Sequence, residues 1–107
     1  MADLPVAEVH RLWSAGELAI VDVREEPEHQ ATRVPGVPLV PMSALLSRVD
    51  EIPADLPLAV LCRSGARSAQ VADDLTAAGD HGDVANVEGG IIALAAEGLP
   101  YEGESPR

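Results

Sequence analysis

Two short apolar runs, "LAIVDV" at residues 18–23 and "LAVLC" at residues 58–62, constrain this chain more than any other feature. Unbroken runs rich in β-branched residues suit strands covered on both faces, as in a parallel sheet. Between and after them the apolar pattern changes to a helical one. Asp3 and Pro5 can cap and open a first helix, in which Val6, Val9, Leu12 and Trp13 share the core-facing side until Gly16 ends it. "REEPEHQATR" is a polar connection with one helical turn from Pro27. "VPGVPLVP" contains so many prolines that residues 37–40 are at most a short strand. Pro41 opens a second expected helix, whose buried face is Met42, Leu45, Leu46 and Val49. A third runs from about Ala66 to Gly79 with Val71, Ala72, Leu75 and Ala78 inward and Gln70, Asp73 and Asp74 outward. "DVANVE" is expected to be another strand, and "GGIIALAAEG" a closing helix stopped by Gly98. The tail, 102–107, is expected to fray.

Strands alternating with helices over short loops define an α/β domain with a mostly parallel sheet. At 107 residues, 47% of them hydrophobic, one domain accounts for the chain, with its core at about residues 6–101. No run approaches the length of a membrane span, and the N-terminus lacks the basic start and apolar run of a signal peptide; a cytoplasmic protein is expected. The formal net charge is −11, from 18 acidic residues against seven arginines. Such a surface repels nucleic acid and anionic membrane, so neither is an expected partner. An anionic substrate needs a locally positive site.

That requirement draws attention to "LAVLCRSGARS". The sole cysteine, Cys62, ends a strand, and in parallel sheets ligands bind beyond the carboxyl ends of strands. Arg63 and Arg67 follow within five residues. A thiol reacts as thiolate, which arginine and the start of a helix both favour. Gly65 permits a tight curl around the sulfur. Ser64 and Ser68 can either cap the helix or donate to an anion. A buried structural cysteine is the alternative, but two arginines bracketing one short turn favour a reactive thiol. His10, His29 and His81 have no metal-ligand spacing with each other or with Cys62, so neither metal nor cofactor is expected.

"CRSGARSAQVADDL" resembles the active-site segment of rhodanese-like sulfurtransferases. "IVDVREEPE", "RVPGV" and "VEGGIIAL" are similar to further segments of that family, in family order. The resemblance implies a rhodanese-like α/β domain with a five-stranded, mostly parallel sheet flanked by helices on both faces. It also implies two-step sulfur transfer, in which Cys62 takes a sulfur from a small anionic donor such as thiosulfate and passes it, as a persulfide, to cyanide, a thiol or a protein acceptor. The active-site loop would comprise Arg63, Ser64, Gly65, Ala66, Arg67 and Ser68, with both arginines attracting the donor and stabilising the loop. Asp22 and Arg24 match the family's "DVR" and are expected to form an internal salt bridge that orders the loops, in preference to contacting the substrate. Two positions depart from the family: Arg33 replaces a common histidine and Leu94 a common tryptophan. Arg33 either adds charge near the mouth or pairs with a carboxylate. Two alternatives compete. One is a sulfur carrier or partner-binding module; the other is a cysteine-dependent phosphatase or arsenate reductase, whose loops place five residues between cysteine and arginine instead of four. With no second cysteine, a persulfide cannot resolve as an internal disulfide, so the acceptor must be another molecule.

Overall fold

A computed structural model describes residues 3–106. Both apolar runs form strands and lie side by side: β2 (Ala19–Asp22) pairs in parallel with β4 (Leu58–Leu61), Ala19 opposite Leu58 and Asp22 opposite Leu61. With β1 (Asp3–Pro5) and β5 (Ala85–Glu88) they make a parallel sheet in the order β1-β5-β4-β2. Successive residues point to opposite faces. Ala59 and Leu61 therefore pack with Val6 and Val9 of α1 (Val6–Ser14) and with Ile91 and Leu94 of α4 (Gly90–Ala96). Leu58, Val60 and Cys62 pack on the other face with Val71, Ala72 and Leu75 of α3 (Ala66–Ala78). Trp13 sits at the edge of the first cluster. The α/β class and the helices on both faces are as expected; no helix among the described residues is long and apolar enough to cross a membrane.

Five expectations need correction. The sheet has four strands, not five, among the described residues; the fifth position is a single bridge between Asp22 and Leu39. Asp22 donates to Pro38 O and Val40 to Asp22 O, both at 2.9 Å, but Pro38 and Pro41 lack the N–H groups a longer ladder would use. Asp3 does not cap α1. The free edge of β5 takes up residues 3–5 as a strand, and Asp3 instead accepts a hydrogen bond from Asn86 Nδ2 at 3.1 Å.

The second helix is absent. Two short 3-10 turns, Met42–Ala44 and Val49–Glu51, replace it. Glu25 binds both the backbone N–H and the hydroxyl of Ser43, anchoring the segment to the preceding loop. Met42 and Leu45 still reach the core, while Leu46 is 95% exposed. Ala78, expected inward, is exposed and borders a groove between α3 and this segment.

The tail is not frayed through residue 104. β6 (Glu102–Gly103) pairs antiparallel with β3 (Thr32–Arg33), and Glu104 N donates to Ala31 O at 2.7 Å. The remainder of that expectation, at Arg107, lies outside the described residues.

Candidate active site

Cys62 follows the last residue of β4 and is 1% exposed. The chain turns back at Gly65, whose φ of 100° is readily adopted only by glycine, and enters α3 at Ala66. This turn aims the Gly65 N–H at Cys62 Sγ, 3.1 Å away. One turn into α3 the Ser68 hydroxyl lies 3.2 Å from the same sulfur. Burial pushes the thiol up, but the Ser68 hydroxyl and the backbone amides of Ser68, Gly65 and Ser64 outweigh it, and its pKa lies below the ordinary thiol value. The loop is therefore built to hold negative charge on sulfur.

Neither serine caps α3. Gly65 occupies the cap position without a side-chain bond, and Ser68 is fully buried beside the sulfur and Asn86. Ser64 contributes through its amide. Arg63 is exposed and lines a cavity of about 280 Å³ with Arg24, Glu28, Thr32, Ile91 and Glu104. Ala66 is exposed at the first position of α3.

Of the two roles expected of Arg67, attracting the donor and stabilising the loop, the second has a visible partner. Both of its terminal nitrogens donate to Glu28 of α2 (Glu26–Ala31), each at 2.7 Å, so a bidentate pair fastens the loop to α2. This hydrogen bonding outweighs partial burial and holds Glu28 down at about 2. The sign follows from the depressed pKa: the pair stabilises the fold fully above about 4.5, the ordinary value, and loses its contribution as pH falls toward about 2. Because the side chains are about one-third exposed, screening leaves a contribution on the order of 1 kcal/mol. Thermal unfolding of wild type is expected to weaken across that window more than that of Glu28→Gln. Parallel pH curves for the two proteins would remove the assignment.

Asp22 and Arg24, 1% and 3% exposed, form a buried pair at 2.8 Å. Arg24 also donates to the carbonyls of Thr32 and Glu28, joining the end of β2 to α2 and β3. Arg33 pairs with Glu102 at 3.5 Å and donates to Gln30 O, away from the cavity lining. Leu94 is buried in the core with α1 and does not line this cavity. No cluster of three or more His, Cys, Asp or Glu suited to a metal occurs among the described residues.

Three contributors escaped sequence reasoning. Glu28 is one of 18 carboxylates and carries no local mark. Asn86 did carry one, as a lone amide inside the apolar strand "VANVE". Gly90 carries the third: the loop carbonyls of Cys62 and Arg63 accept from Ile91 N at 2.9 Å and Ile92 N at 3.2 Å, an approach that a side chain at position 90 would block.

A lone thiol with amides turned toward it, at the carboxyl end of a parallel sheet, defines an α/β domain suited to cysteine nucleophilic chemistry. The Rhodanese-like domain model matches residues 5–97. A sulfurtransferase of Allochromatium vinosum is 40% identical over 90 residues, which cover 84% of this chain and 83% of that protein. The chain belongs to the rhodanese-like domain family. Among solved structures, a rhodanese-related protein from Thermoplasma volcanium has a TM-score of 0.85 at 27% identity, covering 97% of this chain and all of that one. A thiosulfate sulfurtransferase from Pseudomonas aeruginosa has a TM-score of 0.84 at 31% identity; the match covers all of this chain but only 21% of that protein.

Proposed function

We propose that this chain is a sulfurtransferase that carries sulfane sulfur on Cys62. The observation that carries the proposal is the environment of Sγ, where the Gly65 N–H and the Ser68 hydroxyl lie at 3.1 and 3.2 Å and favour the thiolate. With thiosulfate as donor, the thiolate attacks the outer sulfur and forms a new S–S bond. The bond between the two donor sulfurs breaks, and its electron pair leaves with sulfite. The resulting persulfide anion disperses its charge into the loop amides. An external nucleophile, such as cyanide or a thiol, then attacks the outer sulfur and returns Cys62 to thiolate. Two accessible steps thus replace one direct transfer.

Arg63 on the cavity wall supplies positive charge for the donor's approach, whereas Arg24, held by Asp22, and Arg67, held by Glu28, stiffen the surroundings of the loop. The same arrangement argues against a phosphatase. A phosphate needs a loop arginine directed at it, and here the last loop arginine is held in both arms by a carboxylate. A carrier that delivers the sulfur to a protein would use the same persulfide and differ only in the acceptor.

Incubation with thiosulfate is expected to raise the intact mass by one sulfur atom, and cyanide to reverse this with formation of thiocyanate. Cys62→Ser is expected to do neither. A wild-type protein that stays unmodified yet hydrolyses an aryl phosphate would replace this proposal with the phosphatase.

A further inference from the structure

Ser68 has two claims on its one proton. Its oxygen lies 3.2 Å from Cys62 Sγ and makes a short hydrogen bond to Asn86 Oδ1. A hydroxyl donates one hydrogen at a time, although it can also accept. The orientation of the Asn86 amide is fixed independently. Its Nδ2 donates to the Asp3 carboxylate across the β1–β5 pair, which leaves Oδ1 as the atom facing Ser68. All three Cys62, Ser68 and Asn86 side chains are buried, so water does not readily replace a lost partner.

With Cys62 protonated, every group is satisfied in one direction. The S–H donates to Ser68 Oγ, the Ser68 O–H donates to Asn86 Oδ1, and the Asn86 amide donates to Asp3. Once Cys62 is a thiolate, its sulfur needs the Ser68 hydrogen, and turning that hydrogen toward sulfur leaves Asn86 Oδ1 without a donor. We infer that Asn86 is a positioning residue that competes with the Cys62 sulfur for the Ser68 hydroxyl proton, and so sets how readily the thiolate forms. The inference rests on Cys62 reacting as a thiolate, as the proposed function does, but not on sulfur being its cargo.

Competition has a sign that a merely structural role lacks. Removing the donor and removing the competitor should move Cys62 in opposite directions, whereas loosening the loop would move it the same way in both cases. The charged groups on the surrounding elements are Arg63 of the loop, Arg67 of α3, Asp22 at the end of β2 with Arg24 after it, Glu28 of α2, Glu88 of β5 and Asp3 of β1, while Asp73 and Asp74 of α3 are exposed. α4 brings none. Every substitution below leaves them all in place.

Because the chain has one cysteine, its thiolate absorbance in the ultraviolet, read against pH with Cys62→Ser as the blank, titrates this group alone. Ser68→Ala is expected to raise the midpoint by about one unit, the scale of one hydrogen bond to a charged group. Asn86→Leu, which keeps the volume without the acceptor, is expected to lower it by about half a unit to one unit. Asn86→Ala should lower it as well and serves if the leucine variant does not fold. In a Ser68→Ala background the same Asn86 change should have no effect, since its action passes through the hydroxyl. A folded Asn86 variant with an unchanged or raised midpoint, or a full shift that persists without Ser68, overturns the inference. If the midpoints move as stated but thiosulfate adds no sulfur, it is the sulfur-transfer proposal that fails and this one stands.

Discussion

Gly90→Ala is expected to destabilise the protein by about 3 kcal/mol or more and to abolish most sulfur loading from thiosulfate. Gly90 has φ +61°, and a Cβ there would lie 2.4 Å from Arg63 O and 2.5 Å from Cys62 O. The backbone conformation alone costs an alanine about 1–2 kcal/mol. The rest comes from the collision, because the obstructing atoms are backbone carbonyls that cannot rotate away. Those carbonyls accept from the first amides of α4, so relief means moving α4 off the loop and displacing Cys62 with it. Gly79→Ala is the control. Its φ is +86°, yet nothing lies within 4 Å of the added carbon. That variant should lose only the conformational share, about 1–2 kcal/mol, and load sulfur normally. Denaturant unfolding and intact mass on both proteins decide the matter; equal losses would mean that close packing of α4 on the loop is unimportant.

What the sequence disclosed follows a physical division. Local patterns were legible: the runs at 18–23 and 58–62 needed burial on both faces and obtained it, and Gly65 and Gly79 bound α3 at the expected ends. The strand, turn and helix start around Cys62 were legible too, since they are contiguous in the chain. Misreadings arose where a distant partner overrode a local preference. The spacing of Met42, Leu45, Leu46 and Val49 fits a helix, but Glu25 holds Ser43 and the segment folds as 3-10 turns. Asp3 looks like a cap until the free edge of β5 takes it into the sheet. The partner of Arg67 carried no mark in the sequence, and only the tertiary fold brings Glu28 to it, 39 residues away. An acidic chain hides such partners well, because any one carboxylate resembles the rest.

The buried pair below the site leads to the second large effect. Arg24→Met is expected to destabilise by about 3–5 kcal/mol, far more than the loss of an exposed ion pair. Arg24 is 3% exposed and meets Asp22, 1% exposed, through three hydrogen bonds from its side chain, besides those to the Thr32 and Glu28 carbonyls. Without the guanidinium, Asp22 would keep only the backbone N–H of residue 24 as a donor among these bonds. Arg24→Lys should recover a part, because one ammonium can reach the carboxylate but cannot also serve both carbonyls in the planar geometry that arginine offers. The informative variant is the double one, Asp22→Leu with Arg24→Met. Removing both charges eliminates the unpaired carboxylate, so more than half of the single-variant loss should return even though one more polar group is gone. Sulfur loading need not return with it, since Arg24 also forms a wall of the cavity beside Arg63 and joins α2, the anchor of Arg67, to the end of β2. If the single variant loses less than about 1 kcal/mol, or the double loses more than the single, the pair is not the buried tie that its geometry describes.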